Sequence, residues 1–463
     1  MGVAAFPAGF LWGVATSAQQ IEGAVAEGGR GESIWDRYAS VPGNIKDGSD
    51  PSVACDHFHR WREDVELMRE LGVNAYRFSI AWPRVLPSGV GRVNAGGLDF
   101  YDALVDGLLA AGISPFVTLN HWDVPQALQD HGGWTSRAAV DAFTAYADAV
   151  SRRLGDRVRH WVTHNEPWCV AHLGYERGAH APGHRSPGGA LRVAHHLLLS
   201  HGRAVEVLRR NAPGAEAGIV LLLSPVEAAT DSPADRDAAR EFDGEFNRWY
   251  LDPLFGGAYP ADAVADRVRR GHLDGAGLDF VFPGDMACIA TPTDFLGVNY
   301  YSRAVVKAGP DGRPLVVRPV PDDELTDMGW EVYPQGLHQI LVRVRDEYAP
   351  AAIHVTENGA AFRDPPAAPG PIADTRRVEF LSEHAEAMRD AIADGVPLRG
   401  YFAWSLMDNF EWGEGVARRF GLHHVDYATQ QRTARASAHW YRDFIARGAI
   451  EDDAPQHHTR RRP

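Results

Sequence analysis

Ile353-His354-Val355-Thr356-Glu357-Asn358-Gly359 is a short apolar, β-branched run that closes on a carboxylate and then a glycine. Such a run reads as a buried strand, and the glycine lets the chain turn away from it. His160-Trp161-Val162-Thr163-His164-Asn165-Glu166-Pro167 has the same form, stopped by a proline that cannot donate to a ladder. In a barrel of parallel strands, the C-terminal strand ends carry the catalytic groups. Two strand-terminal glutamates facing one pocket is therefore the expectation against which the rest of the chain is read.

The flanking sequence alternates between strand and helix. Residues 10–16 predict a first strand, and the Gly-, Asp- and Ser-rich segment that follows, up to Pro51, a long surface loop. Residues 55–71 place Phe58, Trp61, Val65, Leu67, Met68 and Leu71 near one helical face, with Gly72 as the stop. Further strands are predicted at 75–80, 113–119, 217–223, 295–299 and 398–404, beside those that carry Glu166 and Glu357. Helices are predicted at 97–111, 137–154, 190–210, 234–250, 335–348, 374–394 and 433–447. Eight strand–helix units imply a parallel sheet with right-handed crossovers, closed into a (β/α)8 TIM barrel with long βα loops. The barrel is assigned to residues 1–450, and the polar residues 451–463 to a disordered tail. Gly309-Pro310-Asp311-Gly312 between apolar flanks predicts a hairpin within 301–321. Residues 365–371 form a Pro-rich loop beyond Glu357.

Composition narrows the function. The chain has 463 residues, 45% hydrophobic and 23% charged, the balance of a globular protein. A net charge of −15 argues against a nucleic-acid partner, because phosphate binding needs a basic surface. Cys55, Cys169 and Cys288 are unevenly spaced and form no CxxC, so neither a disulfide framework nor a zinc site is expected. No stretch is apolar enough to span a membrane, and the first ten residues lack a signal-peptide pattern, so the expected setting is cytoplasmic.

The strand ends collect Gln20, Arg77, Asn120-His121-Trp122, Asn165-Glu166, Asn299-Tyr300-Tyr301, Glu357 and Trp404, with Glu411-Trp412 in the last loop. They include no Gly-rich phosphate turn and no metal-ligand spacing, so neither a cofactor nor a metal is expected. Carboxylates, amides and indoles together suit a sugar, whose hydroxyls need donors and acceptors and whose ring face stacks on aromatics. Two carboxyl groups suffice to cleave a glycosidic bond, one as acid and the other as nucleophile or base. Arg77 and Tyr301 are placed to hold one carboxylate ionised, and that charge would raise the pKa of its partner.

These residues also carry a resemblance. Phe10-Leu-Trp-Gly-Val-Ala-Thr-Ser-Ala, Thr118-Leu-Asn-His-Trp-Asp, Thr163-His-Asn-Glu-Pro-Trp, Leu296-Gly-Val-Asn-Tyr-Tyr, Thr356-Glu-Asn-Gly and Trp404-Ser-Leu-Met-Asp-Asn-Phe-Glu-Trp resemble, in order, a family one glycoside hydrolase of the β-glucosidase type. The resemblance implies a retaining β-glycosidase acting on terminal β-D-glucosyl, or galactosyl or fucosyl, residues of small β-glycosides and oligosaccharides such as cellobiose. It implies Glu166 as acid/base, Glu357 as nucleophile, Tyr301 orienting Glu357 and Arg77 beneath it. It implies that Gln20, His121, Trp122, Asn165, Asn299, Trp404, Glu411 and Trp412 bind the sugar. Relatives acting on 6-phosphorylated sugars tend to replace the acid at the Glu411 position, so its charge here is expected to repel a phosphate. Gln19 and Asn120 stand where aromatics are expected beside the pocket.

Plainer readings compete. A strand-end glutamate taken alone is more often a solvated or ion-paired group. His195, His196 and His201 lie on one helix with no acid partner in view and are read as packing, as is Cys169. Arg77 could be purely structural. The alternatives to hydrolysis of plain sugars are a 6-phospho-β-glycosidase, kept open by Arg418 and Arg419, and a sugar-binding barrel without turnover.

Overall fold

The computed structural model describes residues 6–275, 277–364 and 372–448. Its strands, in chain order, are β1 Leu11–Ala15, β2 Ala75–Ser79, β3 Ser114–Asn120, β4 His160–Asn165, β5 Glu216–Leu222, β6 Val226–Ala228, β7 Phe295–Asn299, β8 Ala304–Ala308, β9 Pro314–Val317, β10 Ile353–Asn358, β11 Leu398–Trp404, β12 His423–Asp426 and β13 Gln431–Ala434. Strands β1, β2, β3, β4, β5, β7, β10 and β11 close a parallel barrel, with β1 pairing both β2 and β11. The (β/α)8 barrel expected from the alternation is the fold. The Pro-rich segment 365–371 and the tail 451–463 lie outside the described residues.

Two cores hold it together. Ala15, Phe116, Val162, Val220, Phe295 and Phe402 fill the barrel interior. A larger layer between strands and helices contains Trp61, Val65, Met68 and Leu71, the buried stripe of the helix His57–Leu71. Gly72 caps that helix at φ 71°, the left-handed region that its lack of a Cβ permits. Gly359, expected to free a turn, is needed for a different reason. A Cβ there would stand 1.8 Å from the Trp404 carbonyl oxygen, so the closeness of β10 and β11 requires the glycine.

Several expected boundaries shift. The loop before Pro51 contains a helix, Ile34–Ala39, begun by a Ser33–Asp36 capping box. The helix expected at 234–250 is three pieces: Pro233–Asp243, a π-turn over Gly244–Arg248, and Trp249–Gly256. Thr433 belongs not to the last helix but to a hairpin of β12 and β13, and that helix starts at Ala436. The hairpin expected within 301–321 is present as β8 and β9, and β6 pairs with β8 to make a small sheet beside the barrel mouth.

Candidate active site

Glu166 and Glu357 each follow a break in strand register. Pairing of β4 with β5 slips between Val162 and Asn165, and pairing of β10 with β7 slips between Val355 and Glu357. Such irregularities re-aim side chains at a barrel rim. Glu166 also holds φ at 47°, an uncommon conformation for a residue with a side chain. Both carboxyl groups line one cavity of about 700 Å³, with His121, Trp122, Tyr301, Trp404, Glu411 and Trp412.

Arg77 ties the two strands together. From β2 its Nη1 donates to Glu357 Oε1 over 2.5 Å and its Nη2 to Asn165 Oδ1 over 2.6 Å. Tyr301 donates its hydroxyl to Glu357 Oε2 over 2.6 Å, so both nucleophile oxygens are fixed. Asn299 Nδ2 donates to Glu166 Oε1 over 2.7 Å and to Asn165 Oδ1 over 3.0 Å. Asn165 Nδ2 then donates to His121 Nε2 over 3.1 Å. Arg77, Asn165, Asn299 and Gln20 are fully buried one layer beneath the wall. Gln20 gives its Nε2 to Asn409 Oδ1, Phe410 O and Glu411 Oε2, at 2.9, 3.0 and 3.4 Å.

The wall itself is aromatic. His121 lies between Trp404 and Trp412 with near-parallel rings, each centroid 5.9 Å away. Trp122 packs on Trp412 at 4.5 Å and donates its indole N–H to Asn165 O over 2.9 Å. Trp168, Phe242, Phe246, Trp330 and His180 line the same cavity, and of these only Trp168 falls within a motif quoted above. Phe242 and Phe246 carry the spacing of a buried helical stripe, and His180 has no motif around it. Gln19 and Asn120 do not reach the cavity: Gln19 bonds Asp36, Arg30 and Ser33, and Asn120 bonds His164.

Burial, and then the Glu357 charge, push Glu166 up to about 8. Tyr301 is driven well above its ordinary value by burial and Glu357, so it remains a donor. Burial, with Arg77 nearby, drives His121 well below its usual value and keeps the ring neutral. Glu411 is also pushed up to about 8, by burial and by the charges of Glu357 and Glu166.

One expectation needs correction. His195 does have an acid partner, with Nε2 3.0 Å from Asp285 Oδ2, although it lies on the outer helix. Cys169 is buried and lines the same cavity as Glu166. Arg418 is paired with Glu414 over 3.3 Å, and Arg419 with Asp408 over 2.7 Å.

A family model described as glycosyl hydrolase family 1 matches residues 3–449. The chain is 46% identical to beta-glucosidase A of Thermotoga maritima over 98% of its own length and 100% of that relative. It is 44% identical to a bifunctional beta-D-glucosidase/beta-D-fucosidase of Bifidobacterium breve, over 95% of its length and 98% of the relative. Among solved structures it is similar to the beta-glucosidase from Thermotoga maritima in complex with castanospermine, at TM-score 0.92 and 45% identity, covering 97% of this chain and 100% of the other.

Proposed function

The chain belongs to glycosyl hydrolase family 1, and from that premise we propose that Glu166 and Glu357 cleave terminal β-D-glucosyl residues from small β-glycosides by double displacement. It is a retaining β-glycosidase. Fucosyl and galactosyl units are further candidates, and cellobiose is the simplest natural substrate that fits. The observation that carries the residue roles is one carboxylate fixed at both oxygens by Arg77 and Tyr301, sharing a cavity with a second carboxyl pushed up to about 8.

The chemistry follows from those two environments. Protonated Glu166 gives its proton to the glycosidic oxygen as the bond to the anomeric carbon breaks, while a Glu357 oxygen forms a new bond to that carbon. The resulting ester carries no charge at Glu357, so one of the two causes raising the Glu166 pKa is gone. Glu166, now a carboxylate, takes a proton from water as the water oxygen attacks the anomeric carbon. The ester bond breaks and Glu357 leaves as a carboxylate. The buried indoles and neutral His121 supply a stacking face and hydrogen-bonding edge for the sugar ring.

An unphosphorylated sugar is favoured by the occupied cations, since Arg418 and Arg419 are already paired with acids and Lys46 ion-pairs Glu414. Free thiols at Cys55, Cys169 and Cys288 suit a reducing, cytoplasmic setting. Among the described residues no helix is long and apolar enough to cross a membrane. Paired variants test the roles. Glu357→Ala should abolish turnover while the protein stays folded. Glu166→Ala should slow substrates with poor leaving groups far more than activated aryl glucosides. An active Glu357→Ala, or equal losses across leaving groups in Glu166→Ala, would contradict the assignment.

A further inference from the structure

Gln19 stands where an aromatic is expected beside the pocket, and it plays no part in the mechanism above. It is 4% exposed and precedes Gln20 in the short helix Ala18–Ile21, just beyond β1. Its Nε2 donates to Asp36 Oδ1 over 2.8 Å, and its Oε1 accepts from Arg30 Nη2 and from Ser33 Oγ, each over 2.9 Å. Arg30 Nη1 donates to Asp36 Oδ2 over 2.6 Å, so the amide bridges a largely buried ion pair. Ser33 and Asp36 are the capping box that begins the helix Ile34–Ala39. The amide therefore touches each of the three side chains that hold the first turn of that helix.

That helix backs the sugar-binding wall. Trp35 is 1% exposed and packs on Trp412 at 4.5 Å and on His180 at 5.2 Å, while Tyr38, one turn on, lines the cavity. We propose that Gln19 is a positioning residue for the wall: it keys the helix Ile34–Ala39 to the end of β1 and, through Trp35, sets where Trp412 stands relative to Gln20. The inference rests on the glucosidase reading above. Gln20 is pinned at both ends of its amide, Oε1 accepting from Ser17 Oγ over 2.6 Å and Nε2 donating to Asn409 Oδ1 over 2.9 Å. The Trp412 ring is held by packing on Trp35, Trp122 and His121, so its place depends on where those rings are fixed. An amide suits the task because it donates to the acid and accepts from the guanidinium at once. An apolar side chain of similar length would leave Arg30 Nη2 and Ser33 Oγ without that acceptor in a buried place, and the helix would have to shift to pair them again.

Gln19→Met keeps the length of the side chain and removes all three bonds. The readouts are KM for an aryl β-D-glucoside and the inhibition constant of glucose, because neither depends on how much of a preparation is folded. The parent is measured first: no turnover there would overturn the glucosidase reading and this inference with it. With an active parent, Gln19 is judged alone. Both constants should rise roughly three- to tenfold in Gln19→Met while kcat stays within about twofold, the pattern of weakened sugar binding. Trp35→Leu should act the same way, and the double variant should be little worse than the more damaged single one, since both act through Trp412. A lowered Tm with KM and the inhibition constant unmoved would mean that the bonds only stabilise the loop, and would overturn the proposal. Multiplying effects in the double variant would overturn it too, because Gln19 would then reach the sugar by a path that does not pass through Trp35.

Discussion

Tyr301 gives Glu357 Oε2 its phenol at 2.6 Å while Arg77 holds Oε1, so the nucleophile has little freedom to rotate. Tyr301→Phe removes one charge-assisted bond, worth ~1.5–3 kcal/mol. We expect kcat/KM to fall roughly 10- to 150-fold, with the fold unchanged, as steady-state kinetics beside a melting curve would show. A loss below threefold would mean that Arg77 alone orients Glu357. Glu166 sets the pH dependence: its acid role needs the proton, so kcat/KM should fall as pH rises through about 8. A basic limb well below that would point to another group. Glu166, Glu357 and the tryptophans were legible because strand-end carboxylates and His-Trp-Asp stand out against apolar neighbours. The bridging of Arg77 between β4 and β10 was not, because a charged residue inside a strand gives no sign of what it will face once the barrel closes.

At the opposite end of β10 from Glu357, His354 is buried with neither ring nitrogen hydrogen-bonded, packed on Phe295 at 5.2 Å and Phe116 at 5.4 Å. His160, on β4, stacks on the same Phe116 at 5.1 Å. Burial pushes His354 down to about 3 and His160 to about 4, while unfolded imidazole titrates near about 6.5. Between those values the unfolded chain binds more protons than the folded one, so stability is lost as pH falls below about 6.5. His354→Leu should therefore lose less Tm than the parent between about pH 7 and 5, measured by thermal unfolding; a parallel loss would place the acid sensitivity elsewhere. The barrel strands were legible as short β-branched runs between turn residues. The π-turns at Cys169–Glu176 and Gly244–Arg248 were not, since one extra residue per turn barely alters an apolar period. β6 was hidden for another reason: its three residues become a strand only by pairing with β8.

The barrel as a unit explains why so few residues carry the chemistry. Closure brings β4, β7, β10 and β11 to one rim, and their terminal residues converge on a cavity of about 700 Å³ that no single stretch could build. The low-polarity interior then does the electrostatic work, keeping a proton on Glu166 while Arg77 compensates Glu357. Alternation in the sequence was enough to predict that convergence. The positive φ values at Trp122, Glu166 and Trp412, 78°, 47° and 49°, were beyond its reach, because tertiary packing rather than local preference holds them. The most direct test of a covalent route through Glu357 is a proton NMR time course with an aryl β-D-glucoside, following which anomer of glucose appears first. β-Glucose first, with α-glucose arising only by later mutarotation, is the predicted result; α-glucose first would mean direct attack by water and would contradict the mechanism.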